Sequence, residues 1–320
     1  MLALDLAAEK NRNKFSLSKL NFMKKKLVAL YFLVTIVVSL LAGCTKTDPG
    51  PINPPPPPPT SAAIILNYAY GADAKMKIDI YLPAGRSAAT TKTMVLIHGG
   101  GWTAGDKADL NPYLDSFKRV LPNWAIININ YPLIDIASGA HRHPSQILYV
   151  RRAMDTIKNN LQTWGISNKF GMWGASAGGH LALMHGYTQN ADGLVKAVAS
   201  FMGPTDLRDC WINPPGPDTR AIVINYTGIL IPNLFTADPY DWGSPWFIMP
   251  NNAPPTIAFH GSADVLVSVT QARRLKDKLV AKGIVNQYYE YAGLGHDVWP
   301  AEKLSDMFTK FGSFMQTNVQ

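Results

Sequence analysis

Residues 170–186 read FGMWGASAGGHLALMHG. An apolar run, Phe170–Gly174, enters Gly174-Ala175-Ser176-Ala177-Gly178, and an Ala/Leu-rich helical pattern leaves it. On its own G-x-S-x-G recurs by chance, and the bland reading is a Gly/Ser-rich turn. Between a strand and a helix it has the context of a nucleophile elbow. The turn is so tight that side chains next to the serine would clash. The helix N-terminus then aims free N–H groups at the reacting oxygen. The placement predicts that Ser176 is a nucleophile.

On either side, strand and helix patterns alternate. Strands are expected at Ala63–Asn67, Lys77–Tyr81, Thr93–His98, Ala125–Tyr131, Phe170–Gly174, Ala197–Met202, Thr256–His260 and Asn286–Ala292. Helices are expected at Pro144–Leu161, after Ser176, at Thr270–Lys282 and from about Ala301. The central strands are continuous apolar runs (MVLIH, AIININY, TIAFH), which suits a sheet buried on both faces. Alternation implies a mostly parallel sheet covered by helices, an α/β fold. The stretch at about 207–250 breaks the rhythm with prolines, glycines and tryptophans and reads as an insertion or cap near the site.

About 75 residues before the serine, His98-Gly99-Gly100-Gly101-Trp102 ends a strand. Glycines let backbone N–H groups approach a substrate oxygen. Gly100 and Gly101, with the Ala177 N–H, are the expected oxyanion donors, and one such donor is worth about 10²–10³ in rate. His98 is expected to hold the loop. Trp102 reads equally as a pocket wall or as packing for the loop. No Gly-Lys-Ser/Thr follows, so phosphate binding is disfavoured.

A serine hydroxyl needs a base, and the base an orienting carboxylate. Asp264 and His296 lie just past strand ends and complete the chain order Ser, Asp, His. Asp206 is the rival acid. His260, His180 and His185 read as packing residues, and His141 and His143 sit in a loop of unassigned role. None shows metal-ligand spacing, and no metal is expected.

Together, HGGGW at 98–102, Gly105-Asp106, WGASAGGH at 173–180, GPTDL at 203–207, HGSADVLV at 260–267 and GLGHD at 293–297 resemble the α/β-hydrolase superfamily. More narrowly they are similar to its HGGG-type carboxylesterase branch, which holds hormone-sensitive-lipase-like and bacterial feruloyl and acetyl-xylan esterase-like proteins. The resemblance covers nearly all of residues 61–320. It implies a Ser176–Asp264–His296 triad, oxyanion donors at Gly100, Gly101 and Ala177, an acyl-enzyme, and no cofactor. Relatives often carry Tyr-Arg-Leu where this chain has Tyr131-Pro132-Leu133, a departure expected to alter packing rather than chemistry.

The N-terminus reads as an address. Residues 1–43 hold seven Lys/Arg and two Asp/Glu, a net +5 of the chain's +8. Most of the basic excess is therefore in a signal segment, and no nucleic-acid partner is expected. Lys24–Lys26 precede sixteen residues, 27–42, without a charge. Leu41-Ala42-Gly43-Cys44 resembles a bacterial lipobox, with Cys44 as the lipidated residue and the cell envelope as the location. The competing reading is an uncleaved membrane anchor. Met23 is the expected start, with residues 1–22 outside the signal. A linker at 44–60 follows, and its six prolines, Pro54–Pro59, favour an extended helix. About 15 residues at ~3.1 Å each would set the domain some 45 Å from its anchor.

The function expected is hydrolysis of short-chain acyl esters, with sugars or plant polysaccharide fragments as candidate alcohols. A peptidase, amidase or formamidase on the same fold is the alternative. The peptidase relatives resembled usually carry a large propeller domain, which 260 residues cannot hold. A non-catalytic binding module is the third reading, and an intact nucleophile, base, acid and glycine loop weighs against it. Acyl length and oligomeric state are not legible.

Overall fold

The computed structural model describes residues 60–233, 235–296 and 299–320. The segment expected to be a signal, Cys44 and the linker up to residue 59 lie outside the described residues.

Eight strands form one sheet: β1 (Ala63–Ala69), β2 (Lys77–Leu82), β3 (Thr93–Ile97), β4 (Ala125–Ile129), β5 (Phe170–Ala175), β6 (Val195–Phe201), β7 (Thr256–Gly261) and β8 (Asn286–Tyr291). Their order is β1-β2-β4-β3-β5-β6-β7-β8. β1–β2 and β2–β4 pair antiparallel and the remainder parallel. The mostly parallel α/β-hydrolase sheet expected from the sequence is present, with element ends shifted by one or two residues.

The period of two along each strand explains why these runs are apolar throughout. Val95 and Ile97 join one buried cluster, while Met94 and Leu96 join another. Every residue of β3 is buried, so the sheet needs a layer of helices on each face. On the first face lie α2 (Ser145–Asn159), α4 (Ala177–Thr188) and α9 (Val269–Ala281). On the second lie α1 (Leu114–Val120) and α10 (Ala301–Asn318). A short helix α3 (Leu161–Trp164) follows α2. In α2 the buried residues Ile147, Val150, Ala153, Met154 and Ile157 keep helical spacing. Each of these side chains larger than alanine contributes roughly 1.5–3 kcal/mol of burial. α4 is buried almost all round, as befits a helix packed across the central strands β3, β5 and β6.

The sequence reading passed over α1 and the 3₁₀ turn Lys107–Tyr113 before it. Leu110, Leu114, Phe117 and Leu121 are buried and repeat at the i, i+4, i+7 spacing that could have revealed them. Residues 207–250 contain four short helices: α5 (Leu207–Ile212), α6 (Thr219–Thr227), α7 (Pro239–Trp242) and α8 (Pro245–Ile248). Two start at prolines and α7 also has an Asp238 capping box, so turn-forming residues here serve as helix starts.

Candidate active site

β5 delivers Ser176 at the carboxyl edge of the sheet, and α4 begins one residue later. Ser176 has φ 52° and ψ −123°, a region a non-glycine residue occupies only when its surroundings impose it. They do so here. Its N–H donates to the Phe201 carbonyl at 2.8 Å, and its carbonyl accepts from His180 N at 3.1 Å. A Cβ at Gly174 would lie 2.2 Å from the Gly178 backbone, and one at Gly178 would lie 2.1 Å from the Ile97 carbonyl oxygen. The elbow closes only because both positions lack side chains.

The structure brings Ser176, His296 and Asp264 together. His296 Nε2 is 2.8 Å from Ser176 Oγ, and His296 Nδ1 is 2.7 Å from Asp264 Oδ2. A carboxylate only accepts, so Nδ1 carries the proton. In the neutral ring Nε2 then presents a lone pair to the serine hydroxyl. Asp264 Oδ1 accepts the N–H groups of Leu266 and Val267, each at 2.8 Å. Burial pushes the Asp264 carboxyl up, but hydrogen bonds from His260, His296 and Val267 and the charge on His296 outweigh it. The net effect holds it well below the usual carboxylate range.

The loops that carry Asp264 and His296 are tied to each other: Ser262 N donates to Tyr291 O at 3.0 Å, and Ala263 N to Leu294 O at 2.9 Å. The rival acid is elsewhere. Asp206 caps α5 by accepting from Asp209 N at 3.0 Å and pairs with Arg274 at 2.9 Å; burial raises its carboxyl. His180 Nε2 donates to the Gly243 carbonyl at 2.6 Å. His141 Nδ1 lies 2.7 Å from the Tyr149 hydroxyl, and His143 Nδ1 lies 3.2 Å from the Tyr226 hydroxyl.

The glycine loop runs beside the elbow. A Cβ at Gly99 would meet the Ala175 carbonyl oxygen at 3.0 Å and Ser176 Cβ at 3.3 Å. Among the described residues, the N–H groups of Gly100, Gly101 and Ala177 donate to no backbone carbonyl, and all three residues line the cavity. His98 stacks on Tyr131 with centroids 4.4 Å apart, and the Tyr131 hydroxyl donates to the His98 carbonyl at 3.1 Å. The far end of the loop is held by Asp106, which accepts from Asn130 Nδ2 at 2.8 Å and Lys75 Nζ at 3.1 Å. Trp102 lines the cavity, is 1% exposed and stacks on Tyr226 at 4.1 Å.

The cavity at Ser176 has a volume of about 600 Å³. One part of its wall comes from Leu110, Tyr113, Trp299, Leu304, Met307 and Phe308 of the second-face cluster. Another comes from Trp102, Cys210, Ile222 and Val223 of the first-face cluster, and Thr219 and Leu266 also line it. Sequence reading identified none of these but Trp102. Cys210 is buried, its Sγ 2.7 Å from Gln271 Nε2, and burial pushes its thiol up to about 12. That thiol stays protonated and is a wall, not a nucleophile.

This fold and its serine-centred edge define an α/β-hydrolase. The family model BD-FAE matches residues 78–279, and the chain belongs to the BD-FAE family. Esterase LipC of Mycobacterium tuberculosis is 27% identical over 243 residues, covering 71% of this chain and 58% of LipC. The probable carboxylic ester hydrolase LipM of the same organism is 28% identical over 260 residues, covering 74% of this chain and 56% of LipM. The chain thus spans little more than half the length of these relatives. Among solved structures, a truncated carbohydrate esterase from gut microbiota superposes with a TM-score of 0.62 at 22% identity, covering 81% of this chain and all of that one. An esterase of Pyrobaculum calidifontis gives 0.63 at 18%, covering 82% and 88%. At these identities the structural likeness bears on fold.

Proposed function

We propose that the protein is a serine carboxylesterase with Ser176 as nucleophile, His296 as base and Asp264 as orienting acid. The observation that carries the reading is the unbroken relay of 2.8 Å from Ser176 Oγ to His296 Nε2 and 2.7 Å from His296 Nδ1 to Asp264 Oδ2. Both distances lie within the reach that proton transfer needs.

Ser176 Oγ attacks the ester carbonyl carbon while its proton passes to His296 Nε2. The carbonyl oxygen becomes an oxyanion, facing the N–H groups of Gly100, Gly101 and Ala177. His296 returns the proton to the departing alcohol oxygen as the C–O bond breaks, leaving the acyl group on Ser176. Water then attacks the acyl carbon, giving its proton to His296, and the acid leaves as the Ser176 hydroxyl reforms.

The substrates we assign are small acyl esters, with sugars or plant polysaccharide fragments as the alcohol. The lipobox-like Leu41–Cys44 supports anchoring of the domain at a bacterial envelope, and a lipid-sized mass increment on Cys44 in the mature protein is the expected sign. The enzymatic test is saturable hydrolysis of 4-nitrophenyl acetate and covalent labelling by a fluorophosphonate, both lost in Ser176→Ala. Retention of full activity in that variant would remove the proposal.

A further inference from the structure

The carboxylate that orients the base has a second histidine on it. His260, near the end of β7, is buried, and its Nε2 lies 2.8 Å from the Val267 carbonyl oxygen and 3.2 Å from Asp264 Oδ2. Both neighbours are acceptors, so Nε2 carries the proton, which it donates to the Val267 carbonyl while Asp264 Oδ2 lies against the same N–H. The tautomer is thus fixed by its surroundings.

Three donors converge on Asp264, and His260 backs the same carboxylate. Oδ1 takes the N–H groups of Leu266 and Val267, Oδ2 takes His296 Nδ1, and His260 Nε2 lies 3.2 Å from Oδ2. With both oxygens bonded, the carboxylate plane cannot turn without breaking a hydrogen bond. His260 differs from the three donors because it touches two things at once. Through Val267 O it closes the Asp264–Val267 turn, whose own N–H groups hold Oδ1. Through Oδ2 it braces the atom that receives the base. The charged groups beside it are already paired: Glu290, opposite His260 across β7 and β8, bonds to Arg273 at 2.6 Å.

We infer that His260 is a positioning residue of this centre, fixing the Asp264 carboxylate plane and, through it, the direction of His296. The inference rests on the esterase reading for its kinetic consequence but not for its structural one.

The test compares His260→Leu, which removes the donor, with His260→Gln, which keeps an N–H of similar reach. With 4-nitrophenyl acetate, kcat should fall roughly tenfold or more in His260→Leu while KM stays within about twofold, as expected when transition-state alignment alone is lost. His260→Gln should recover a substantial part. Independently of turnover, the low-field proton resonance of the His296–Asp264 hydrogen bond should shift or vanish in His260→Leu and persist in His260→Gln. Should His260→Leu not fold, the same resonance in His260→Gln decides: persistence supports the role and loss overturns it. An unchanged resonance in His260→Leu, or a kcat loss shared equally by both variants, overturns it as well. A wild type that hydrolyses no ester but shows the resonance would remove the esterase reading while leaving the positioning role open to the same comparison of resonances, and that comparison would then decide it.

Discussion

Thr219 Oγ1 donates to the Leu266 carbonyl at 3.0 Å, which ties the first turn of α6 to the loop whose N–H groups hold Asp264. Both residues line the cavity. The wall contributed by residues 207–250 therefore shares a loop with the acid. Thr219→Val keeps the shape and removes the donor. We expect a stability loss of about 1 kcal/mol, read as a Tm lower by roughly 2–4 °C. KM for small esters should rise severalfold with kcat little changed, since Asp264 keeps all of its donors. A fall in kcat at constant KM would contradict this division.

Gly100 and Gly101 separate two reasons for a glycine. Gly100 has φ +103°, and a Cβ there would lie 2.2 Å from the Ala104 carbonyl oxygen. Gly100→Ala must displace the loop, and kcat should drop about 10²–10³-fold as donors move off the oxyanion. Gly101 has φ +58° with no atom nearer than the 3.6 Å of Ile222 Cγ2. Gly101→Ala faces only the left-handed backbone cost of about 1–2 kcal/mol, so its kcat should stay within roughly tenfold of wild type. Equal losses in steady-state assays of the two variants would place the donors elsewhere.

Much of this site was legible because its residues are set by local rules. Ser176 sits where an apolar strand meets a glycine-flanked helix start, and Asp264 and His296 each follow a strand end. The walls were not legible, because they come from elements far apart in the chain that meet only through packing. Phe308 and Met307 look like any apolar stripe of a terminal helix, and only the fold turns that stripe toward Ser176. His260 illustrates a further limit. A buried histidine at a strand end reads as packing, and its second acceptor, Val267 O, is a backbone atom that no residue pattern marks.

Asp264 and Asp206 were rival acids in sequence and are distinguishable by substitution. Asp264→Asn keeps the volume but offers an N–H where His296 needs an acceptor, so the imidazole loses its tautomer and direction. Ester hydrolysis should fall about 10³–10⁴-fold, with fluorophosphonate labelling of Ser176 slowed alongside. Asp206→Asn removes the charge paired with Arg274 at 2.9 Å and leaves an oxygen to cap α5. Its signature should be a lower Tm with kcat close to wild type. If the two variants exchange phenotypes, the acid has been misassigned.

Two buried histidines, His180 and His185, and the half-buried His143 should make the domain acid-sensitive. Burial holds His143 down to about 4 and His180 and His185 down to about 3, whereas an unfolded histidine titrates near 6.5. Below about pH 6.5 the unfolded chain therefore binds more protons than the folded one, and stability rises with pH. Their contribution is complete above pH 6.5 and is lost progressively as the pH falls toward about 4 for His143 and about 3 for His180 and His185. Three such groups set a limiting slope of roughly 4 kcal/mol per pH unit, an upper bound because each titrates partially across the window. His185 isolates the effect, since neither ring nitrogen finds a hydrogen-bond partner among the described residues. His185→Leu removes a titrating group without stranding a partner. Denaturant midpoints between pH 7 and 5 should decline in the wild type and decline less steeply in His185→Leu. Midpoints that stay level over that range, or identical slopes in the two proteins, would mean these histidines are not held neutral by the fold.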